Sequence, residues 1–184
     1  MKPLHLLFIG NSHTYFNDMP SMVVRRAARD GWAARAVMLA HGGWFLSQHA
    51  KEPEVRWNIL FGGYDYVILQ EHAHPFGPEE RFLEAAEQLT ALIREAGSTP
   101  VIYACWARKD ERDRQPAMDA AHRRAAESTG ALLAPVGEAW WPYLDAHPGV
   151  DMYAPDGAHA SPEGSSLAAA VIWETLHSDL IRRT

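Results

Sequence analysis

Cysteine is almost missing from this chain: Cys105 stands alone in 184 residues. A single cysteine excludes an intrachain disulfide framework and suits a reducing compartment. Long apolar runs are missing too, and none approaches the roughly 20 residues of a membrane-spanning helix. Met1-Lys2-Pro3 leads straight into a short apolar segment. The long apolar region and small-residue cleavage site of a secretory signal are not there, so the expectation is a cytoplasmic protein with no membrane partner. Nor is positive charge in excess. Seventeen Lys and Arg against 23 Asp and Glu leave a net charge of −6, which speaks against a nucleic-acid surface. Arg25-Arg26 and Arg123-Arg124 fall at helical positions and read as solvated faces. Repeats, low-complexity tracts and linkers are also lacking, so residues 1–184 read as one domain, long enough for a substantial core.

What is present is an alternation of strand and helix patterns, which predicts a parallel sheet covered on both faces. Leu4 to Ile9 reads as the first strand, Ala33 to Leu39 as the second and Tyr64 to Gln70 as the third. Thr99 to Cys105 follows as the fourth and Ala131 to Ala134 as a short fifth. Helices are expected over Pro20 to Asp30, Lys51 to Leu60, Glu79 to Ala96 and Pro116 to Ser128. The third of these has the clearest period, with Phe82, Ala86, Leu89 and Ile93 on one face and Gly97 as its stop. Ser161 reads as an N-cap, with Pro162 at the first helical position of a last helix running to about Leu180.

Ser12 follows the first strand after Gly10 and Asn11, so it sits at a strand-to-helix turn on the carboxyl edge of the sheet. Ligands bind at that edge in open parallel sheets. A serine is a weak nucleophile and needs an adjacent base. Near the other end, Asp156-Gly157-Ala158-His159 places an acid three residues before a histidine, in a loop that leads onto the last helix. His159 is the candidate base. Asp156 is the candidate that holds its tautomer.

Together these blocks resemble the SGNH/GDSL hydrolase superfamily. Gly10-Asn11-Ser12 matches its first block; Asp156 and His159, continuing to Gly164, match its last. The resemblance implies a flavodoxin-like three-layer α/β/α sandwich with a five-stranded parallel sheet, and a triad of Ser12, Asp156 and His159. It also implies an oxyanion hole built from the amide of Ser12 and a glycine amide after the second strand, Gly43, or Gly42 if the register slips. The third block departs from the family. Where Gly-x-Asn-Asp is usual, Leu69 is followed by Gln70-Glu71-His72-Ala73-His74. Counting puts His74 at the asparagine position, whereas chemistry favours the Gln70 carboxamide as third donor. The likeness is to a divergent branch with Gln-Glu at this point.

Asn11, Trp44, His74 and Trp106 are the candidate substrate-binding residues. Trp140 and Trp141 are expected in or near loops at the same edge, while Trp32, Trp57 and Trp173 read as core and seam fillers. Ten histidines are many, yet nothing has tight zinc spacing, so the reading is no metal and no cofactor. Cys105 reads as a small buried hydrophobe. The function expected is a serine esterase acting on a small acyl ester, with an O-acetylated carbohydrate named first. The alternatives are a thioesterase or lysophospholipase-like hydrolase, or a non-catalytic binding domain.

Overall fold

The computed structural model describes residues 3–183. Five parallel strands form one sheet: β1 Leu4–Gly10, β2 Ala34–Ala40, β3 Tyr66–Gln70, β4 Thr99–Tyr103 and β5 Leu132–Ala134. Their order is β2-β1-β3-β4-β5. The fold class expected from the sequence is the one observed. β1 is buried along its whole length, as a central parallel strand with both faces covered must be. Its side chains alternate between two cores. Leu4, Leu6 and Phe8 face one, and Leu7 and Ile9 the other.

The first core is closed by α2 (Met19–Arg29), α7 (Val136–Ala146) and α8 (Pro162–Arg183). The second is closed mainly by α4 (Pro53–Phe61), α5 (Glu79–Glu95) and α6 (Gln115–Thr129). Two one-turn helices, α1 (Ser12–Tyr15) and α3 (Leu46–His49), lie in the loops after β1 and β2. Register aligns the strand ends: Gly10 pairs with Ala40 and Gln70 with Tyr103. The segments that leave β1 to β4 therefore emerge side by side at one edge. No helix among the described residues is long and apolar enough to cross a membrane.

Three expectations need correction. Trp140 and Trp141 are not in loops; they belong to α7. Trp140 is fully buried and stacks on Trp106 with ring centroids 3.9 Å apart. Trp57 is not a core filler but 63% exposed, stacked on exposed Phe61. β4 ends at Tyr103, two residues before Cys105, although Cys105 is buried as expected.

Candidate active site

The turn after β1 is tight because of Gly10. A Cβ there would collide with the Thr14 hydroxyl and the Gln70 side chain, so only glycine lets these groups close over the strand end. Asn11 then caps α1, its Oδ1 accepting from the His13 amide at 3.1 Å. This turn presents Ser12, whose Oγ lies 2.7 Å from His159 Nε2. His159 Nδ1 lies 2.5 Å from Asp156 Oδ2. Asp156 Oδ1 accepts from the amides of Ala158 and His159 at 2.9 and 3.0 Å. Desolvation pulls the Asp156 pKa up, but the hydrogen bonds from the His159 ring and these two amides outweigh it. They hold the carboxyl well below its usual range. The structure thus brings together Ser12, His159 and Asp156, from opposite ends of the chain.

The imidazole of His159 is clamped between two rings. Phe16 stacks on one face at 4.1 Å and 11°, and His13 on the other at 4.9 Å. His13 is buried, and among the described residues neither ring nitrogen makes a hydrogen bond of ordinary geometry, although the Ala158 backbone lies close enough to act on the ring. Burial, and then the neighbouring His74, His159 and His72, push its pKa well below the ordinary value, so it stays neutral beside His159. His74 stands edge-on to His13 at 4.9 Å, with its Nε2 buried and unpartnered among the described residues. Burial lowers its pKa to about 4. These three rings meet by their faces and edges. Among the described residues, no group of three or more His, Cys, Asp or Glu side chains could hold a metal ion.

Residues 41–44 form a turn closed by the Trp44 amide donating to the His41 carbonyl at 3.2 Å. Asn11 Nδ2 donates to the Trp44 carbonyl at 3.0 Å and ties this turn to the one carrying Ser12. Among the described residues, the backbone amides of Ser12 and Gly43 have no acceptor within the protein. Both turns therefore leave N–H groups free for a ligand.

Three candidates hold other places than expected. Gln70 is buried: Oε1 accepts from the Asn11 amide at 2.8 Å and the Thr14 hydroxyl at 2.9 Å, and Nε2 donates one hydrogen to the Glu71 carbonyl while the amide also bonds the buried Cys105 thiol. It braces the serine turn from behind, with its amide directed at Glu71 and Cys105. Asn11 is likewise buried and bonded at both ends, which removes it from the substrate contacts. Trp106 is fully buried, and its Nε1 donates to the Ala158 carbonyl at 2.9 Å. It holds the loop that carries Asp156 and His159 instead of lining a pocket. Trp44 is half-buried and stacks on exposed His41 at 4.1 Å, at the site's rim.

Several supporting residues escaped sequence reasoning. His49 is buried and its Nε2 donates to the Gly10 carbonyl at 2.8 Å. Burial lowers its pKa to about 4, as suits a neutral donor. Glu71 accepts from the Leu46 amide at 3.2 Å and the His72 amide at 2.7 Å, joining the exits of β2 and β3. Burial raises its pKa to about 7. Asn17 Nδ2 donates to the Ala160 carbonyl at 2.9 Å and Ser165 Oγ at 2.8 Å, linking the two ends of the chain beside the site. The Gln70-Glu71 pair, the histidine that follows Gly42-Gly43 at His49, and the spacing of Gly10 to Thr14 marked these places in the sequence, but not the bonds, because each role depends on a partner distant in sequence.

A serine presented at the carboxyl edge of a parallel α/β/α sheet, beside a histidine and an acid, has the architecture of a hydrolase. Among solved structures, the chain is similar to a protein from Slackia heliotrinireducens assigned to the SGNH hydrolases, with 30% identity over 95% of this chain and 99% of that one, at a TM-score of 0.78. It is also similar to a carbohydrate esterase family 3 protein from Talaromyces cellulolyticus (14% identity, 98% and 99% coverage, TM-score 0.76). A third is an acetylxylan esterase from Geobacillus stearothermophilus (17% identity, 94% and 93% coverage, TM-score 0.65). The last two show a common fold. No protein-family model and no curated protein sequence matches the chain. The chain belongs to the SGNH/GDSL hydrolase superfamily.

Proposed function

We propose that the protein is a serine esterase that cleaves a small acyl ester, with O-acetylated carbohydrate as the substrate class. The observation that carries this reading is the continuous hydrogen-bonded run from Ser12 through His159 to Asp156, set beside two unengaged amides. Ser12 Oγ attacks the ester carbonyl carbon while His159 Nε2 takes its proton. Asp156 stabilises the imidazolium. The oxygen of the tetrahedral intermediate is held by the amides of Ser12 and Gly43. Collapse breaks the bond to the alcohol, whose oxygen takes the proton back from His159 Nε2, and leaves an acyl-Ser12. Water, deprotonated by the same nitrogen, repeats the sequence to release the acid. No step calls on a metal or cofactor.

The carbohydrate preference is supported by the esterases that share the fold. A domain kept only for binding would not require a base clamped on both faces and aligned with a serine. The test is reaction with a fluorophosphonate probe and mapping of the labelled residue. Ser12 should be labelled, and Ser12→Ala should abolish both labelling and hydrolysis of short acyl esters. Turnover retained by that variant would refute the triad.

A further inference from the structure

One carbonyl anchors both of the turns that carry unengaged amides. Gly10 ends β1, and its carbonyl accepts from the His41 amide at 3.1 Å and from His49 Nε2 at 2.8 Å. At the other end of the same peptide, the Asn11 N–H donates to Gln70 Oε1 at 2.8 Å. A peptide is planar, so bonds at both ends fix its tilt where it leaves the strand. The next peptide along carries the Ser12 N–H. In the other turn, His41 is the first residue and Gly43 the third. The His49 ring is fully buried against this turn, with centroids 5.7 Å from the His41 ring and 5.2 Å from the Trp44 ring.

From this geometry we infer that His49 is a positioning residue of the oxyanion hole: it sets the Ser12 and Gly43 amides relative to one another. This rests on the esterase reading above. Three arguments lead to it. First, Nε2 is committed to a backbone carbonyl and the ring is closed off from solvent, so His49 has no free group to offer a substrate and acts only through the backbone it holds. Second, stability does not call for the ring. The Gly10 carbonyl keeps the His41 amide without it. The ring also brings a buried Nδ1 with no hydrogen-bond partner among the described residues, and such atoms are normally satisfied. What the ring adds is direction. Third, direction is what an oxyanion hole needs, because its donors must already point at the place where charge develops.

The test compares the wild type with His49→Leu, His49→Asn and His49→Gln. Leucine fills space without a donor. Glutamine carries an N–H donor at about the reach of the ring, and asparagine carries the same donor one methylene short. Each variant is assayed on a short acyl ester and with a trifluoromethyl ketone. Ser12 Oγ adds to the ketone carbon, His159 takes the serine proton, and the carbonyl oxygen becomes an anion in the hole. His49→Leu and His49→Asn should lower kcat by about tenfold to a hundredfold with little change in KM, and weaken the ketone by a similar factor. His49→Gln should recover most of both. An unchanged kcat, a ketone affinity that does not follow kcat, or a glutamine variant no better than leucine would overturn the assignment. Should His49→Leu not fold, His49→Asn against His49→Gln decides. A wild type that neither reacts with a fluorophosphonate nor cleaves the ester would refute the esterase reading, and the positioning is then read from the backbone alone. The Ser12 and Gly43 amide resonances should move in His49→Leu and return in His49→Gln. Resonances that stay in place would sink the positioning role.

Discussion

Gln70 acts on the serine through Asn11 and Thr14, so its removal is felt first as a structural loss. Gln70→Ala leaves the buried Asn11 amide and Thr14 hydroxyl unpaired, each costing about 1–3 kcal/mol. Gln70→Met keeps the volume but not the acceptor and should fare no better. In both variants a large fall in the urea midpoint should accompany the fall in kcat. A drop in kcat with unchanged stability would return Gln70 to the role of an oxyanion donor. Phe16 works differently. Its ring only limits how His159 can tilt, and small misplacements at a reacting group are expensive. Phe16→Ala should therefore lower kcat by about tenfold with little change in KM. An unchanged kcat would show that His13 alone holds the base.

At the scale of elements, α8 positions the loop that carries both Asp156 and His159. Ser161 Oγ accepts from the Gly164 amide at 3.1 Å and donates to the Asp151 carbonyl at 2.7 Å, so one cap serves helix and loop together. A Cβ on Gly164 would fall against the Met152 carbonyl and the Trp140 ring. Gly164→Ala should cost about 1–3 kcal/mol by overpacking and lower kcat as well, because the loop must shift to make room. Stability and activity measured on the same sample decide this; normal values of both would show that the loop yields freely. The start of α8 was readable in the sequence because a cap followed by proline is a local signal. The strands were readable because their apolar runs end at turn residues, and α5 because its period is clean. α7 was not, since Pro142 and paired tryptophans hide its pattern. At the site, Ser12, Asp156 and His159 could be named from spacing. Asn11, Gln70 and Trp106 could be placed near it but not given the right orientation, because whether an amide or indole faces ligand or backbone is decided by partners remote in the chain.

Across the described residues, histidines with pKa lowered by burial outnumber acids with pKa raised by it. His49, His74 and His122 have pKa values lowered from 6.5 to about 4, mainly by burial, and that of His13 is lowered well below its ordinary value. Below pH 6.5 the unfolded chain binds protons that the folded one refuses, so these rings contribute stability that is lost as pH falls. Glu71 acts oppositely. Its pKa rises from 4.5 to about 7, so its contribution is complete below 4.5 and is lost as pH rises through 7. Asp119, raised by burial, acts in the same sense as Glu71; four rings against these two carboxyls still leave the protein acid-sensitive, at about 1.4 kcal/mol per pH unit for each net proton. The urea midpoint should drop between about pH 7.5 and pH 5; a flat or rising midpoint would mean the rings titrate freely. The separation of Ser12 from His159, 147 residues along the chain, has a different consequence, for synthesis. A ribosome that has released the chain through Ala134 has delivered all five strands, yet Ser12 still lacks His159. A product cut short before Asp156 can carry the sheet without the proposed triad. On that proposal, activity in a lysate counts chains that extend past His159, not folded sheets.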